Sequence, residues 1–252
     1  MKKLILSLIF FSFSLNAPAQ KGPSEEISKD FLLGKLNYRQ EIDFLKIDNE
    51  HTSRALYLNK ETYSAFVKMF RAAKADGIEL KIVSGARNFE HQKAIWERKW
   101  RNNKDLDPLS RSRKILEFSS MPATSRHHWG TDIDLNNLEN SYFEEGKGKA
   151  EYEWLVKNAP RFGFFQVYTS KDSGRTGYSE EKWHWSYLPL ARHYLQAYNE
   201  TIQYSDITGF EGAHLAEAQE MIANYVNGIS MEDFSGEPET RTVFTLSEEG
   251  QQ

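Results

Sequence analysis

The chain has 252 residues, of which 39% are hydrophobic, 27% charged and 13% aromatic, enough for one large domain or one domain with appendages. Its formal net charge of −4 excludes a strongly basic nucleic-acid-binding protein. The chain contains no cysteine, which excludes disulfides, thiolate nucleophiles, iron–sulfur clusters and cysteine-ligated zinc. Any metal site must therefore be built from histidine, aspartate or glutamate.

The N-terminal residues have the three-part pattern of a secretory signal. Lys2 and Lys3 precede an apolar run over residues 4–15, and small residues follow at 17–19. We predict a signal peptide over residues 1–19 and a protein exported across the inner membrane to the periplasm or the extracellular space. The alternative is an N-terminal membrane anchor, but the apolar run is shorter than the roughly 20 residues of a spanning helix. We expect no membrane span after signal cleavage.

Helices and strands are mixed between residues 61 and 198. Apolar residues at helical spacing predict helices over 61–76, 89–100, 151–158 and 189–198. Alternating or apolar runs predict strands over 78–83, 131–135, 162–169 and 182–188. The mixture has no regular βαβ rhythm, so the predicted fold class is α+β, with a small antiparallel sheet flanked by helices.

The segment after residue 200 is predicted to be an appendage. Its apolar spacing predicts an amphipathic helix over 213–227, and an acidic tail begins at residue 232. We therefore divide the chain into a signal peptide (1–19), a main domain (20–200) and a C-terminal helical extension with an acidic tail (201–252).

Residues 98–114 form the most basic segment, with seven lysines or arginines against two aspartates. The simpler interpretation is a solvated loop. The alternative is a mobile basic flap that meets an anionic polymer. The sequence leaves both interpretations open.

Three short segments carry the residues with catalytic potential. They are SRHHWGTDID at 125–134, EKWHW at 181–185, and SGAR at 84–87 with Gln92 beyond it. His127 and Asp134 are seven residues apart, and a bend at the intervening glycine can direct both toward one point. With His184 they offer two imidazoles and a carboxylate, which suit Zn²⁺ and leave one position for water.

The other residues of these segments have open assignments. Glu181 lies three residues before His184, where a turn could place its carboxylate beside the metal-activated water as a general base. His128 is an alternative ligand to His127, and the spacing does not decide between them. A single histidine on a strand or an aspartate near a glycine is more often structural, so spacing alone leaves that interpretation open.

Taken together, the segments resemble a known enzyme family. The patterns Ser125-x-His127-x-x-Gly130-x-x-x-Asp134 and Glu181-x-Trp183-His184 resemble the zinc D-alanyl-D-alanine carboxypeptidases of the VanY type. That group shares its fold with the Hedgehog signalling domain. The segment at 84–87 with Gln92 also looks like this family, and the similarity runs from about residue 30 to residue 195.

The resemblance implies a role for each matching residue. It places zinc on His127, Asp134 and His184, which selects His127 over His128, and it makes Glu181 the general base. It also implies two substrate-contacting groups. Arg87 would bind substrate and stabilise the oxyanion, and Ser125 and Gln92 would line the substrate cleft. Alternatively, Arg87 would hold the terminal carboxylate in a bidentate pair, and the sequence does not decide between these two roles. Asp132 stands where a small residue is usual in the family and is a candidate acceptor for a ligand's second nitrogen.

The resemblance also implies a function. The domain over residues 20–200 would be a Zn²⁺-dependent carboxypeptidase that hydrolyses the terminal D-alanyl-D-alanine bond of peptidoglycan stem peptides. Alternatives are cleavage of an L,D bond, endopeptidase action on cross-links, a non-catalytic cell-wall-binding protein, and an interaction protein that acts through the C-terminal region. The composition predicts no nucleic-acid partner, and nothing in the sequence specifies an oligomeric state.

Overall fold

A computed structural model describes residues 27–230 of the chain. The predicted signal peptide and the acidic tail lie outside these residues. The helices are α1 (Lys29–Leu32), α2 (Lys60–Ala75), α3 (Phe89–Asn102), α4 (Pro108–Ile115), α5 (Gly146–Asn158) and α6 (Leu188–Thr201). Asparagine side chains cap two of them, since Asn59 accepts the Glu61 N–H at the start of α2 and Asn88 accepts the His91 N–H at the start of α3.

The strands form two antiparallel sheets. They are β1 (Phe44–Lys46), β2 (Tyr57–Asn59), β3 (Ile82–Ser84), β4 (Asp132–Leu135), β5 (Phe164–Phe165) and β6 (His184–Tyr187). β1 pairs with β2, and the larger sheet has the order β3-β4-β6-β5. In this sheet Asp134 lies opposite Ser84 on one side and His184 on the other. The predicted α+β class, with a small antiparallel sheet flanked by helices, is confirmed.

The larger sheet separates an apolar face from a polar one. Ile133, Leu135, Trp185 and Tyr187 pack with α2 and α5 in one hydrophobic cluster. Because side chains alternate along a strand, the intervening residues point to the opposite face. Those residues are Asp132, Asp134, His184 and Ser186, and all four are buried. The sheet therefore presents four polar side chains together inside the protein.

The basic segment 98–114 is not a loop. Helix α3 continues to Asn102, and α4 begins at Pro108 after a short connection. Asp107 caps α4, since its Oδ1 accepts the N–H groups of Leu109 and Ser110 at 3.0 and 3.1 Å. The prediction of a loop over the whole segment was therefore wrong, and the overlooked signal was an aspartate followed by proline, a typical helix start. A contact between this segment and an anionic polymer stays a prediction.

The C-terminal part of the described chain differs from the predicted helix over 213–227. A 3₁₀ turn spans Ala213–Leu215 and a π-helical turn spans Met221–Val226. The buried residues Ala216, Met221 and Val226 recur every five positions and join the core cluster that contains Trp96. A five-residue spacing fits i to i+5 hydrogen bonds rather than an α-helix, and the Met221 N–H indeed donates to the Ala216 carbonyl at 3.0 Å.

The helices within residues 27–230 were also compared with the thickness of a membrane. None of them is both long enough and apolar enough to cross a lipid bilayer.

Candidate metal centre

A bend between two short elements brings the first two predicted ligands together. The 3₁₀ turn Arg126–Trp129 presents His127, and β4 presents Asp134. Gly130 joins them with a φ of 67°, in the left-handed region that favours glycine. A side chain there would also collide with the ring of Phe44. Glycine is thus required for the bend that allows residues seven positions apart to face one point.

The three predicted ligands converge in the interior. One ligand atom each of His127, Asp134 and His184 lies within 4.8 Å of the others. Asp134 Oδ1 is 3.1 Å from His184 Nδ1 and 3.5 Å from His127 Nε2. His127 Nε2 is buried and makes no hydrogen bond within residues 27–230. A buried nitrogen without a partner is costly, and a metal ion would satisfy it. Two imidazoles and one carboxylate fit Zn²⁺.

In both His127 and His184, the ring nitrogen that faces away from Asp134 lies beside a hydrogen-bond acceptor. His127 Nδ1 lies 2.8 Å from the carbonyl oxygen of Gly85, and His184 Nε2 lies 2.9 Å from Asp132 Oδ2. If each of these nitrogens carries the proton, the opposite nitrogen is left to bind a metal. Both rings are thereby oriented toward Asp134 by contacts outside the ligand set.

His128 lies next to the ligand set but faces elsewhere. Its Nδ1 lies 2.6 Å from the carbonyl oxygen of Arg87, and its Nε2 accepts the N–H of Ala123 at 3.1 Å. Burial lowers the pKa of His128 to about 3, so the ring is neutral. With both nitrogens bonded to the backbone, His128 stabilises the loop and has no free nitrogen for a metal.

Asp132 anchors a buried polar network behind His184. Its carboxylate accepts hydrogen bonds from Arg126 Nε at 3.0 Å, and from Thr131 Oγ1 and Ser186 Oγ at 2.8 Å each. Arg126 also donates to Ser186 Oγ at 2.7 Å. Burial opposes the negative charge, but Arg126 and His184 hold the pKa of Asp132 below its usual value. The sequence analysis raised Asp132 as an acceptor but did not identify Arg126 or Ser186.

Glu181 and Arg87 flank the ligand set. Glu181 is buried, and its Oε2 lies 3.7 Å from His184 Nδ1. Burial raises the pKa of Glu181 to about 8, which describes a group able to accept and return a proton near neutral pH. Arg87 Nη2 lies 4.0 Å from Asp134 Oδ2, and the Arg87 N–H donates to the His127 carbonyl. The structure thus places both predicted catalytic residues beside the three ligands.

Two cavities meet at Arg87 and Glu181. The outer cleft has a volume of about 950 Å³ and runs past Asp134 and Trp183. The inner pocket, about 30 Å³, has space for roughly two water molecules and is lined by Ser125 and Tyr178 among others. The sequence analysis did not identify Tyr178, which comes from an irregular segment without a motif.

The inner pocket is rich in hydrogen-bond donors. Ser125 Oγ, Arg126 Nη1 and Arg87 Nε are buried without partners within residues 27–230. Ser120, also in its wall, is held by Gln92, whose side-chain amide donates to the Ser120 carbonyl at 2.7 Å. Gln92 is therefore placed behind the pocket wall. Buried donors without acceptors indicate a ligand that brings acceptor oxygens, such as a carboxylate.

Zinc binding to this site should release a proton from His184. Burial lowers the pKa of His184, but hydrogen bonds to Asp132 and Asp134 outweigh it, and the pKa rises to about 9. The metal-free ring is therefore protonated at pH 7, whereas a ligand must be neutral. We expect the apparent zinc affinity to fall about tenfold for each pH unit below 9. Calorimetric zinc titrations in buffers of different ionisation enthalpy measure the released protons.

The control for this titration is the Glu181→Gln variant, because Glu181 also has a raised pKa and can add to the released protons. The variant should still release about one proton at pH 7. A zinc-binding heat that does not depend on the buffer would contradict the expectation.

Comparison with known proteins identifies similar sequences over the same region. The model of the family described as VanY, D-alanyl-D-alanine carboxypeptidase, matches residues 55–190, which is more than half of the chain. A Bacillus subtilis (strain 168) protein provisionally named carboxypeptidase YodJ is 33% identical over 134 residues, 52% of this chain and 46% of that protein.

A second relative is a D-alanyl-D-alanine carboxypeptidase of Enterococcus faecalis (strain ATCC 700802 / V583). It is 33% identical over 124 residues, 48% of this chain and 45% of that protein, so the match spans about half the length of both relatives. Among solved structures, a zinc complex of the vancomycin-resistance D,D-pentapeptidase VanY is 25% identical. The match covers 63% of this chain and 86% of that one, with a TM-score of 0.49.

Proposed function

Since the chain belongs to the VanY family of D-alanyl-D-alanine carboxypeptidases, we propose that it hydrolyses the terminal D-alanyl-D-alanine bond of peptidoglycan stem peptides and uses Zn²⁺. The observation that carries this proposal is the pair of cavities that meet at Arg87 and Glu181 and reach the candidate ligands. The small pocket has unpaired donors and contacts His127 and His184, and the large cleft contacts Asp134.

This arrangement supports cleavage at the end of a peptide. The small inner pocket suits the carboxylate of a terminal alanine, which can accept hydrogen bonds from Ser125 and Arg126. The remainder of the peptide would lie in the outer cleft. An endopeptidase would need room for chain on both sides of the scissile bond, which the inner pocket does not offer.

The chain's own residues supply proton transfer and charge stabilisation. A zinc ion held by His127, Asp134 and His184 would polarise the scissile carbonyl and lower the pKa of a bound water to about 7. Glu181 would take a proton from the attacking water and pass it to the leaving amine. Because Ser125 and Arg126 already offer donors to the terminal carboxylate, we assign Arg87 to the developing oxyanion.

The proposed substrate also fits the predicted location. Residues 1–19 have the pattern of a secretory signal, and stem peptides are components of the cell wall. We therefore propose that the mature protein acts in the periplasm or outside the cell. Fractionation of cells that express the full chain, with detection of the mature protein, tests this location.

The test of the function uses a synthetic stem pentapeptide that ends in D-alanyl-D-alanine. The zinc-loaded protein should release one D-alanine, and amidation of the terminal carboxylate should lower kcat/KM about 10- to 100-fold, because charge-assisted hydrogen bonds in the inner pocket are lost. Chelator-treated protein is the control, and product masses are the measurement.

Three outcomes would contradict the proposal and point elsewhere. Cleavage of a tetrapeptide with the pentapeptide left intact would indicate an L,D-carboxypeptidase. Cleavage within cross-linked dimers would indicate an endopeptidase. Retention on sacculi without any turnover would indicate a cell-wall-binding protein.

A further inference from the structure

One wall of the outer cleft is positively charged. Its cationic side chains come from α3, from the connection between β3 and α3, and from the loop before β2, and together they line the cleft beside Asp134 and Glu181. They are Arg54, Arg87, Arg98 and Lys99, with His91 among them. Two of them, Arg98 and Lys99, belong to the basic segment that the sequence analysis left without a function. The rest of that segment points elsewhere, since Arg111 lies over the Trp100 ring and Lys114 pairs with Glu117.

Two guanidinium groups of this wall, those of Arg54 and Arg98, are available for an anion. Within residues 27–230, neither Arg54 nor Arg98 forms an ion pair with a carboxylate. Arg54 is held in place by a hydrogen bond from Nη1 to the Val83 carbonyl at 3.1 Å. Lys99 donates to Ser119 Oγ at 2.6 Å, and Ser119 lines both cavities. Arg54 and Lys99 are thus held on the cleft by hydrogen bonds that leave their charges without a carboxylate partner in the described part of the chain.

The cations are also close enough to act on one another. Burial lowers the pKa of His91, and the charges of Arg87, Arg54 and Arg98 lower it further. Two acids of the cleft, Asp134 and Glu181, belong to the candidate metal centre, and their charges act on Arg87 and Lys99. A third acid, Glu139, also lines the cleft but comes from the segment after β4. The charges of Arg54 and Arg98, which have no carboxylate partner within residues 27–230, therefore give this side of the cleft a positive potential.

We propose that this wall is a subsite for a carboxylate carried by the acyl part of the substrate, upstream of the scissile bond. The inference rests on the proposed function, which places the terminal residue in the inner pocket and leads the rest of the peptide along the outer cleft. A stem peptide offers two such groups, the free α-carboxylate of a γ-linked D-glutamate and the second carboxylate of a diaminopimelate. Arg98 and Arg54 are the residues that would bind it.

The subsite should act on binding rather than on the chemical step. Arg54 and Arg98 have no part in the proposed proton transfer or in the stabilisation of the oxyanion, so we expect them to contribute equally to substrate and transition-state binding. Loss of such a contact raises KM and leaves kcat nearly unchanged. For a carboxylate pair in a partly solvated cleft we expect a 5- to 30-fold change in kcat/KM.

The experiment compares pentapeptides that carry a free or an amidated carboxylate at each of the two positions. For one of the two positions, the wild-type protein should show a kcat/KM that is 5- to 30-fold higher with the free carboxylate than with the amide, and the difference should lie in KM. The position that shows this difference identifies the carboxylate that the wall binds. Arg98→Ala combined with Arg54→Ala should abolish this preference. Arg113→Ala is the matched control, since Arg113 lies on α4 near Tyr225 and should leave the preference intact.

Two results would overturn the subsite. One is a wild-type protein that treats free and amidated peptides alike, and the other is a double variant that keeps the wild-type preference. Failure of the proposed function looks different, because no peptide of either form would then release D-alanine. In that case calorimetric binding of the same peptides still decides the subsite, since the free form should bind more tightly to the wild type but not to the double variant.

Discussion

Replacing Glu181 with alanine should slow D-alanine release by about 10²- to 10⁴-fold while zinc remains bound. The carboxylate is buried beside the candidate ligands, and burial raises its pKa to about 8, so it is suited to proton transfer near neutral pH. The three ligand atoms that converge belong to other residues, His127, Asp134 and His184. Steady-state kinetics together with the zinc content of the purified variant measure both effects.

Two matched variants make this prediction specific. Glu181→Gln keeps the size of the side chain but cannot accept the proton, so it should lose as much activity as the alanine variant. Glu180→Ala removes the neighbouring acid, which is only partly buried, and should keep the wild-type rate. An unchanged rate in both Glu181 variants would show that another group is the base. Loss of zinc along with activity would show that Glu181 is a ligand.

Much of the candidate site was predictable because local rules position it. A strand was predicted over 182–188, and alternation along it places His184 and Ser186 on the face opposite Trp185 and Tyr187. The bend at Gly130 was also predictable, since glycine tolerates the positive φ that the turn requires. In such short segments the pattern of residues nearly determines which side chains face one another.

The remainder depends on contacts between segments that are distant in the sequence. The inner pocket is lined both by Ser119, which follows α4, and by Tyr178, which lies in an irregular segment. No local sequence pattern predicts that these two residues lie close together. The segment predicted as a strand over 162–169 forms only the two-residue β5. Apolar residues in the 213–227 segment recur at several spacings. Only packing against the core determines that the residues spaced five apart are the buried ones.

Asp132 combines both kinds of information. Its orientation on β4 follows from alternation, but its four partners do not. They are Arg126 in the 3₁₀ turn, Thr131 just before β4, and His184 and Ser186 on β6. Arg126 is 1% exposed and Asp132 is fully buried, so the pair lies out of solvent. The carboxylate thus has two functions, to orient His184 toward the metal and to balance the charge of Arg126.

Replacement of Asp132 with alanine should therefore have two separate consequences. Zinc affinity should fall about 10- to 100-fold, because His184 loses the acceptor that fixes its ring. The free energy of unfolding of the metal-free protein should fall by about 3–5 kcal/mol, because Arg126 is left as a buried charge without a partner. Zinc competition with a chelator measures the first effect, and urea denaturation of the chelator-treated protein measures the second.

A second pair of variants separates orientation from charge balance. Asp132→Asn keeps an oxygen that can accept from His184 but removes the negative charge, so it should retain more zinc affinity than the alanine variant. Arg126→Met in the Asp132→Ala background removes the unpaired charge, so it should restore part of the stability without restoring zinc affinity. If the double variant recovered zinc affinity as well, the effect on the metal would come from general loosening of the site, and Asp132 would not act through the orientation of His184.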